Sequence, residues 1–349
     1  MSIAYKLVQW NRHKKVYDLL LAGAVVGYLA AFMLGGSLLF PAPNDIAPPI
    51  LLMRALGTCA IILLHIILLI GPLHRLTPRA APLLYNRRHL GVTFFLVALL
   101  HALVAIGFYG GFGAQNPALA LLTHGSFASI SGFPFEWLGV IALLIFFVMA
   151  ATSHDFWLKN LSPAVWKAIH MAVYPAYVLV LGHIALGAMQ SEPSPLYPIL
   201  MILGAAAVTG AHLLAGLREC RADRASPATP DGWLDACAVA DIPESRARIV
   251  CPRGGERIAI FRHGNTVSAV SNVCAHQAGP LGEGRIVDGC ITCPWHGYQY
   301  LPHNGQSPPP FTEKIPTYEV RIAGDRVLIN PRPLPPGTPI PPASLRPDA

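Results

Sequence analysis

Six long apolar stretches dominate the first two thirds of the chain, near residues 17–40, 49–72, 89–111, 134–153, 167–189 and 196–217. Short polar joints separate them. A helix needs about 20 predominantly apolar residues to cross a bilayer, so the pattern predicts six membrane-spanning helices; a buried helical core is the weaker reading of six such runs. From Arg218 to about Pro230 the pattern gives way to a polar stretch, RECRADRASPATPDG, which marks a boundary. Beyond it, short β-like runs (RIVC, RIAIF, TVSAV, YEVRI, RVLIN) are punctuated by Gly, Asn and Pro and predict a small antiparallel β domain. The last residues, PRPLPPGTPIPPASLRPDA, are Pro-rich and predict an extended tail packed loosely or not at all. The expected fold class is a membrane all-α six-helix bundle followed by a small all-β sandwich. The expected division is 1–217 membrane domain, 218–230 linker, 231–332 β domain and 333–349 tail.

Composition agrees with a membrane protein. Of 349 residues, 53% are hydrophobic and 12% charged, and the mean hydropathy is +0.48. A soluble domain carries about 25% charged residues. Disorder, collagen and a secreted disulfide scaffold are excluded, since only seven cysteines occur in a long apolar chain. The net charge of +7 belongs to the apolar half: residues 1–230 hold 14 Lys and Arg against 7 Asp and Glu, and residues 231–332 hold 10 of each. This argues against nucleic acid as partner and for an inside-positive bias of membrane loops. Lys6, Arg12, Lys14 and Lys15, then Arg75, Arg79, Arg87 and Arg88, then Lys159 and Lys167, then Arg218, Arg221 and Arg224 fall at one set of helix ends. The joints 41–48, 112–133 and 190–195 carry no Lys or Arg. The expected location is a bacterial-type inner membrane, multi-pass, with both termini and the β domain cytoplasmic. The first apolar run, of about 24 residues, is long for a signal-peptide core and reads as the first span. Arg54 is an intramembrane charge and calls for a partner.

The most specific chemistry is Cys274-Ala-His276, 16 further residues, then Cys293-Pro-Trp-His296. Two Cys-plus-His pairs on neighbouring loops fit one [2Fe–2S] cluster, thiolates on one iron and imidazoles on the other. Zinc is the alternative for such spacings. Cys290 and Cys293 also form a C-x-x-C, read as a decoy because Cys290 lies in a β-like run. The stretch CAHQAGPLGEGRIVDGCITCPWHGYQY resembles the Rieske family over about 231–332. That resemblance implies a β-sandwich with a cluster at the tip of two loops, held by Cys274, His276, Cys293 and His296. The extra cysteine that quinol-oxidising members carry in each loop is replaced by Gly279 and Trp295. Of their two hydroxyl donors to the cluster and ligand sulfurs, the Ser position is Tyr298 here, while Tyr300 is kept. The resemblance is thus to the ferredoxin and oxygenase type, and implies a potential low in the Rieske range of roughly −150 to +300 mV. The mononuclear iron domain of an oxygenase is not evident.

Histidines within apolar stretches are functional candidates. The third stretch holds His89 and His101, the fifth His170 and His183. Facing histidines at equal depth can bind one haem iron from both sides, and separations of 12 and 13 residues, about 18–20 Å of helix, would stack two haems. The segments YNRRHLGVTFFLVALLHALVAIGFYGG and WKAIHMAVYPAYVLVLGHIALG resemble the ferric-reductase-like transmembrane family over about 15–217, close to the membrane cytochrome subunit of periplasmic methionine sulfoxide reductase. That implies haem b, one or two, with His101, His170 and His183 matching ligand positions. His89 departs from the pattern: the family's position, 14 residues before His101, is Arg87 here, and a two-residue offset turns a side chain by about 160°. Arg87 and Arg88 are candidates for haem propionates or for ordinary inside-positive charge. His65 and His212 read as core hydrogen-bonders rather than ligands, and His74, His124 and His154 as solvated loop residues.

Together the two resemblances imply a membrane electron-transfer protein of oxidoreductase type. Electrons are expected to pass from a cytoplasmic Rieske cluster through haem b to a periplasmic or membrane acceptor: a periplasmic protein, quinone, oxygen or a ferric chelate. No G-x-G-x-x-G follows a predicted strand, so the expected donor is a soluble reductase or ferredoxin. Two alternatives stay open: reverse flow from quinol and haem to the Rieske cluster feeding a cytoplasmic oxygenase, and a haem-free, membrane-anchored Rieske ferredoxin.

Overall fold

The computed structural model describes residues 12–39, 46–80, 83–84, 86–110, 116–123, 132–191, 194–223 and 228–345. Lys6, His124, Arg224 and the last four residues of the tail fall outside these, as does the side chain of Lys159. Two compact units are present. One comprises Trp10–Leu73 with Asn86–His212; the other joins His74–Tyr85 to Leu213–Ala349.

The helices are α1 (Arg12–Leu39), α2 (Pro48–Leu76), α3 (Arg87–Gly110), α4 (Pro117–Thr123), α5 (Glu136–Thr152), α6 (Asp155–Asn160), α7 (Pro163–Met171), α8 (Val173–Leu186), α9 (Ala188–Ser191) and α10 (Leu196–Ala222). Among the described residues, five helical segments are long and apolar enough to cross a membrane: Lys14–Leu39, Pro48–Leu76, Arg87–Tyr109, Pro163–Gln190 and Leu196–Arg221. The sixth expected span, α5, has 17 residues, at the short end of the spanning range. The predicted fifth span is broken at Ala172 into α7 and α8. Pro175, third residue of α8, has no N–H to offer the carbonyl four residues back, so the ladder is interrupted there. Within this unit α2 carries much of the core, with Leu51, Ala55, Leu56, Leu64 and Ile70 buried. Leu19, Leu20, Leu34, Leu38 and Leu39 of α1 are each more than 60% exposed. A row of exposed leucines suits lipid and would be a costly patch in water.

The β domain holds β1 (Leu234–Ala238), β2 (Ala247–Val250), β3 (Ile258–His263), β4 (Thr266–Ser271), β5 (Arg285–Val287), β6 (Cys290–Thr292), β7 (Gln299–Tyr300), β8 (Thr317–Tyr318), β9 (Val320–Ala323), β10 (Arg326–Ile329) and β11 (Ala343–Ser344). They form three antiparallel sheets: β1-β10-β9, β11-β4-β3-β2 with β8 also on β4, and β5-β6-β7. The β5–β6 hairpin turns on Asp288-Gly289, with φ of 50° and 76° and Val287 opposite Cys290. Two positive-φ residues in a two-residue loop match the right-handed twist of the flanking strands. One apolar cluster joins Phe261, Val270, Leu281, Ile291 and Ile315 to Cys274, Cys293, Tyr298 and Tyr300, so the candidate ligand loops are built into the core.

Three expectations are corrected. The Pro-rich tail is not loose: Leu334 N donates to Thr317 O, Gln306 Nε2 to Gly337 O and Ile340 N to His303 O, and β11 pairs with β4. Proline removes donors, but the N–H groups at 334, 340 and 345 are spaced to be used one at a time. His74 is not a solvated loop residue. It lies in the last turn of α2, is 7% exposed, and its Nε2 is 3.7 Å from Glu283 Oε2. The stretch expected to be linker begins as helix: α10 runs to Ala222, and Arg257 clasps Glu219 and Asp223.

Candidate functional site

The two Cys/His loops are built alike. In the first, Cys274 N donates to Gly279 O at 2.9 Å and Ala278 N to Cys274 O at 2.8 Å. In the second, Cys293 N donates to Tyr298 O at 2.7 Å and Gly297 N to Cys293 O at 2.9 Å. Each loop closes through a left-handed residue four after its cysteine, Ala278 (φ 56°) and Gly297 (φ 72°). The first loop follows β4; the second joins β6 to β7. The result brings the four predicted residues together. The Cys274 and Cys293 thiols hydrogen-bond each other, and the His276 and His296 rings lie 5.2 Å apart at 81°. Both cysteines are buried, at 1% and 3% exposure, while both histidines are half-buried. A Cβ on Gly279 would come within 2.8 Å of Cys293 Sγ, so the first loop leaves no room for a side chain there.

Electrostatics separates the thiols. Burial pushes Cys274 up, but hydrogen bonds from Cys293, Tyr300 and the backbone at His276 and Gln277 outweigh it and hold the thiol low. The bond to Cys274, then burial, holds Cys293 well above the ordinary thiol range. The pair thus shares a proton, which a bound metal displaces because thiolate is the ligand. Tyr300 accepts from Ala275 N at 3.0 Å and lies 3.3 Å from Cys274 Sγ. Since its oxygen already accepts, its O–H donates to the sulfur. Burial first, then the Cys274 charge, keeps that phenol protonated. Tyr298, stacked on His276 at 5.0 Å, is likewise raised by burial and then by Glu313. Cys290 sits in β6, raised by burial and then by Asp288; it is outside the loop pair.

In the helical unit, one histidine pair is brought together among the described residues. His101 of α3 and His183 of α8 have ring centroids 6.3 Å apart at 90°. His101 Nδ1 donates to Met53 O at 2.9 Å, and His183 Nδ1 to Phe135 O at 3.0 Å. Each ring packs on a glycine: a Cβ at Gly57 would lie 3.1 Å from His101 Cε1, and one at Gly139 would lie 2.8 Å from His183 Nδ1. His170 Nδ1 bonds Trp166 O at 3.0 Å, with its Nε2 3.3 Å from Ser153 Oγ. His89 Nδ1 bonds Asp18 Oδ1 at 2.7 Å. No direct contact joins His89 to His170 among the described residues. Arg87 and Arg88 are the first two residues of α3, half-buried, with Arg87 Nη1 against Gly71. His65 and His212 likewise have their Nε2 engaged, by Tyr177 OH at 2.9 Å and by Tyr174 OH at 3.1 Å, and His212 Nδ1 bonds Val208 O at 2.9 Å.

Sequence reasoning missed several of these groups. Asp18 is 71 positions from His89, and the carbonyls of Met53 and Phe135 carry no side-chain signal at all. Gln277, beside His276, is 2% exposed, and neither amide atom has a hydrogen-bond partner among the described residues. Its amide is invisible to motif reading because motifs record ligands.

Comparison with known proteins covers both halves. The Rieske [2Fe-2S] domain family matches residues 232–319, and the ferric reductase like transmembrane component matches 56–181, ending two residues before His183. The ferredoxin component of the naphthalene 1,2-dioxygenase system of Pseudomonas aeruginosa is 33% identical over 99 residues, 28% of this chain and 94% of that protein. The anthranilate 1,2-dioxygenase ferredoxin subunit of Burkholderia cepacia is 32% identical over 106 residues, 30% of this chain and 95% of that protein. Among solved structures, the complex of reduced oxygenase and oxidized ferredoxin in carbazole 1,9a-dioxygenase is 28% identical, with a TM-score of 0.26 over 28% of this chain and 91% of that one. The chain belongs to the Rieske [2Fe–2S] family through its C-terminal domain, joined to a ferric-reductase-like transmembrane component, and is a membrane electron-transfer protein.

Proposed function

We propose that this chain passes single electrons from a Rieske [2Fe–2S] cluster, on the cytoplasmic side, through haem b in the membrane to a periplasmic or membrane acceptor. The donor set suits the cluster: two buried sulfurs that share a proton, facing two half-buried imidazoles. It suits haem at His101 and His183. Two metal–imidazole bonds of about 2 Å plus two ring radii come to about 6 Å, against the 6.3 Å between the rings. With each Nδ1–H given to a backbone carbonyl, each Nε2 is left as the lone-pair donor, the usual arrangement of a ligating histidine. That matched fixing of His101 and His183 is the observation that carries the reading. His170 Nδ1 is held by Trp166 O and His89 Nδ1 by Asp18, but His170 Nε2 is engaged by Ser153 Oγ, so the haem assigned here is the one between His101 and His183.

Bound in these sites, the cluster and the haem supply one-electron exchange. The chain's own residues hold and tune. Cys274 and Cys293 are sealed from water by Tyr298, Tyr300 and Leu281. Tyr300 donates to Cys274 Sγ. His276 and His296 reach the surface, where a soluble reductase or ferredoxin can approach. Arg87 and Arg88 stand where guanidinium groups could pair with haem propionates. The outward direction is favoured by a negative cytoplasm, by about 2.3 kcal/mol per electron per 100 mV.

The test is rapid reduction of the full-length protein in vesicles, followed by EPR for the cluster and optical bands for haem. Haem reduction that follows cluster reduction and is lost in His276→Ala is the expected result. A reduced cluster beside haem that stays oxidised would overturn it. The reverse direction has one observation in its favour: the relatives of the Rieske part are ferredoxin components of dioxygenase systems. A cluster potential above that of the haem would favour that direction.

A further inference from the structure

The two ligand loops share one backbone plan. Each cysteine, Cys274 and Cys293, gives its N–H to the carbonyl five residues on, and its carbonyl accepts from the N–H four residues on. The N–H groups two and three residues after each cysteine hydrogen-bond its sulfur: those of His276 and Gln277 on Cys274, those of Trp295 and His296 on Cys293. A left-handed residue follows in both, Ala278 and Gly297. In this register Gln277 stands where His296, a proposed ligand, stands in the second loop. Its neighbours His276 and Ala278 are half-buried, yet Gln277 is 2% exposed. Its Nε2 and Oε1 are both sealed from solvent, and neither has a hydrogen-bond partner among the described residues.

A side-chain amide brings two N–H donors and one carbonyl acceptor. Sealing it dry and unsatisfied costs more than an apolar side chain of the same size would, so the position calls for a partner. The cysteine sulfurs are already supplied. Cys274 takes two backbone N–H groups and the Tyr300 hydroxyl, and Cys293 takes two backbone N–H groups. The sulfides of a [2Fe–2S] cluster are further acceptors, and hydrogen bonds to them set its potential. Resting on the proposed ligand set, we infer that Gln277 is a tuning residue of the cluster, its side-chain amide donating an N–H to a cluster sulfide. Such a donor favours the reduced form, whose sulfurs are more negative, and raises the midpoint. The Ser position of quinol-oxidising members is Tyr298 here, so Gln277 restores a donor to a loop pair that has lost one. It acts in the same direction as Tyr300, but through the residue next to a histidine ligand rather than through a cysteine sulfur.

The experiment is pulsed EPR of the reduced full-length protein with its glutamine side-chain amides labelled with nitrogen-15, beside EPR-monitored potentiometry of wild type and Gln277→Met. Methionine keeps the length of the side chain and removes the amide. The wild-type cluster should couple to a labelled nitrogen, and Gln277→Met should lose that coupling. The reduction equilibrium should fall about fivefold in Gln277→Met, the weight of one ordinary hydrogen bond, which is roughly 40 mV for one electron. A trapped water in place of the sulfide would leave the midpoint of Gln277→Met unmoved and change only its thermal stability, and that result would overturn the inference. So would a coupling retained in Gln277→Met, which would come from another glutamine. Should Gln277→Met fail to hold a cluster, the wild-type spectrum decides alone: no labelled-nitrogen coupling, no amide at the sulfide. A wild type without any Rieske signal would instead overturn the ligand set on which the inference rests.

Discussion

His101 and His183 face each other across 6.3 Å with their rings at right angles, and each gives its Nδ1 proton to a main-chain carbonyl on a third or fourth segment. The pairing is therefore set by backbone rather than by any polar side chain. His101→Ala and His183→Ala should each lower the haem-to-protein ratio by one. His65→Ala and His212→Ala should leave it unchanged, because their Nε2 atoms are already engaged by Tyr177 and Tyr174. Pyridine-haemochrome counting on purified protein checks both statements.

Gly139 gives a second handle on the same pair. An alanine Cβ there would meet His183 Nδ1 at 2.8 Å and Cε1 at 2.9 Å, closer than side-chain carbons pack. The ring cannot yield without leaving Phe135 O. Under the proposed His101/His183 ligation, Gly139→Ala should lower the haem content, at an overpacking cost of about 1–3 kcal/mol. Gly57→Ala meets His101 Cε1 at 3.1 Å and should be milder. Haem content and Soret position distinguish the two; equal effects would count against this packing order.

Under the proposed cluster assignment, Tyr300 is expected to tune rather than ligate. Its hydroxyl accepts from Ala275 N and donates to Cys274 Sγ. Such a bond stabilises the reduced cluster, whose sulfurs are more negative. A bond worth about 1 kcal/mol corresponds to roughly 40 mV for one electron. Tyr300→Phe should lower the cluster midpoint by about that much with the cluster still bound, read by EPR-monitored titration. An unshifted midpoint would remove Tyr300 from the tuning set.

Cys290 and Cys293 test whether loop geometry or sequence spacing selects the ligand. Cys290 is a strand residue whose thiol is kept protonated by burial and by Asp288, whereas thiolate is what binds metal. Cys290→Ala should retain the cluster's EPR signal, and Cys293→Ala should abolish it. Loss of the cluster signal in Cys290→Ala as well would mean that the C-x-x-C pair supplies a ligand.

The Rieske loops were legible because ligand chemistry imposes residue type and spacing, and both pairs lie within 23 residues of chain, Cys274 to His296. What escaped depends on distance along the chain. Asp18 meets His89 across 71 positions. His74 read as loop because the predicted second span ended near residue 72, yet α2 continues to Leu76. The tail's prolines spoke for disorder, while three isolated N–H groups and a two-residue strand fasten it. Such pairings are set by tertiary structure, and no local pattern announces them.

Glu283 carries a pH dependence of the β-domain unit. It lies in the turn between the two ligand pairs, with Arg75 Nε 3.2 Å from Oε1. Burial raises its pKa above the ordinary 4.5, and the opposing pull of Arg75 does not cancel that. A carboxyl raised in the folded state favours folding while it is protonated. Its contribution is complete below the ordinary value and is lost as pH rises through the raised one. Between those limits the wild-type unit should therefore lose stability with rising pH. Glu283→Gln keeps the shape without the buried charge, so this slope should flatten. The cost at neutral pH should be no more than the partly exposed pair with Arg75, about 0–1 kcal/mol. Thermal loss of cluster absorbance, followed at several pH values, measures both. A steeper slope in Glu283→Gln would mean that the Arg75 pairing, not the desolvated carboxylate, dominates at this turn.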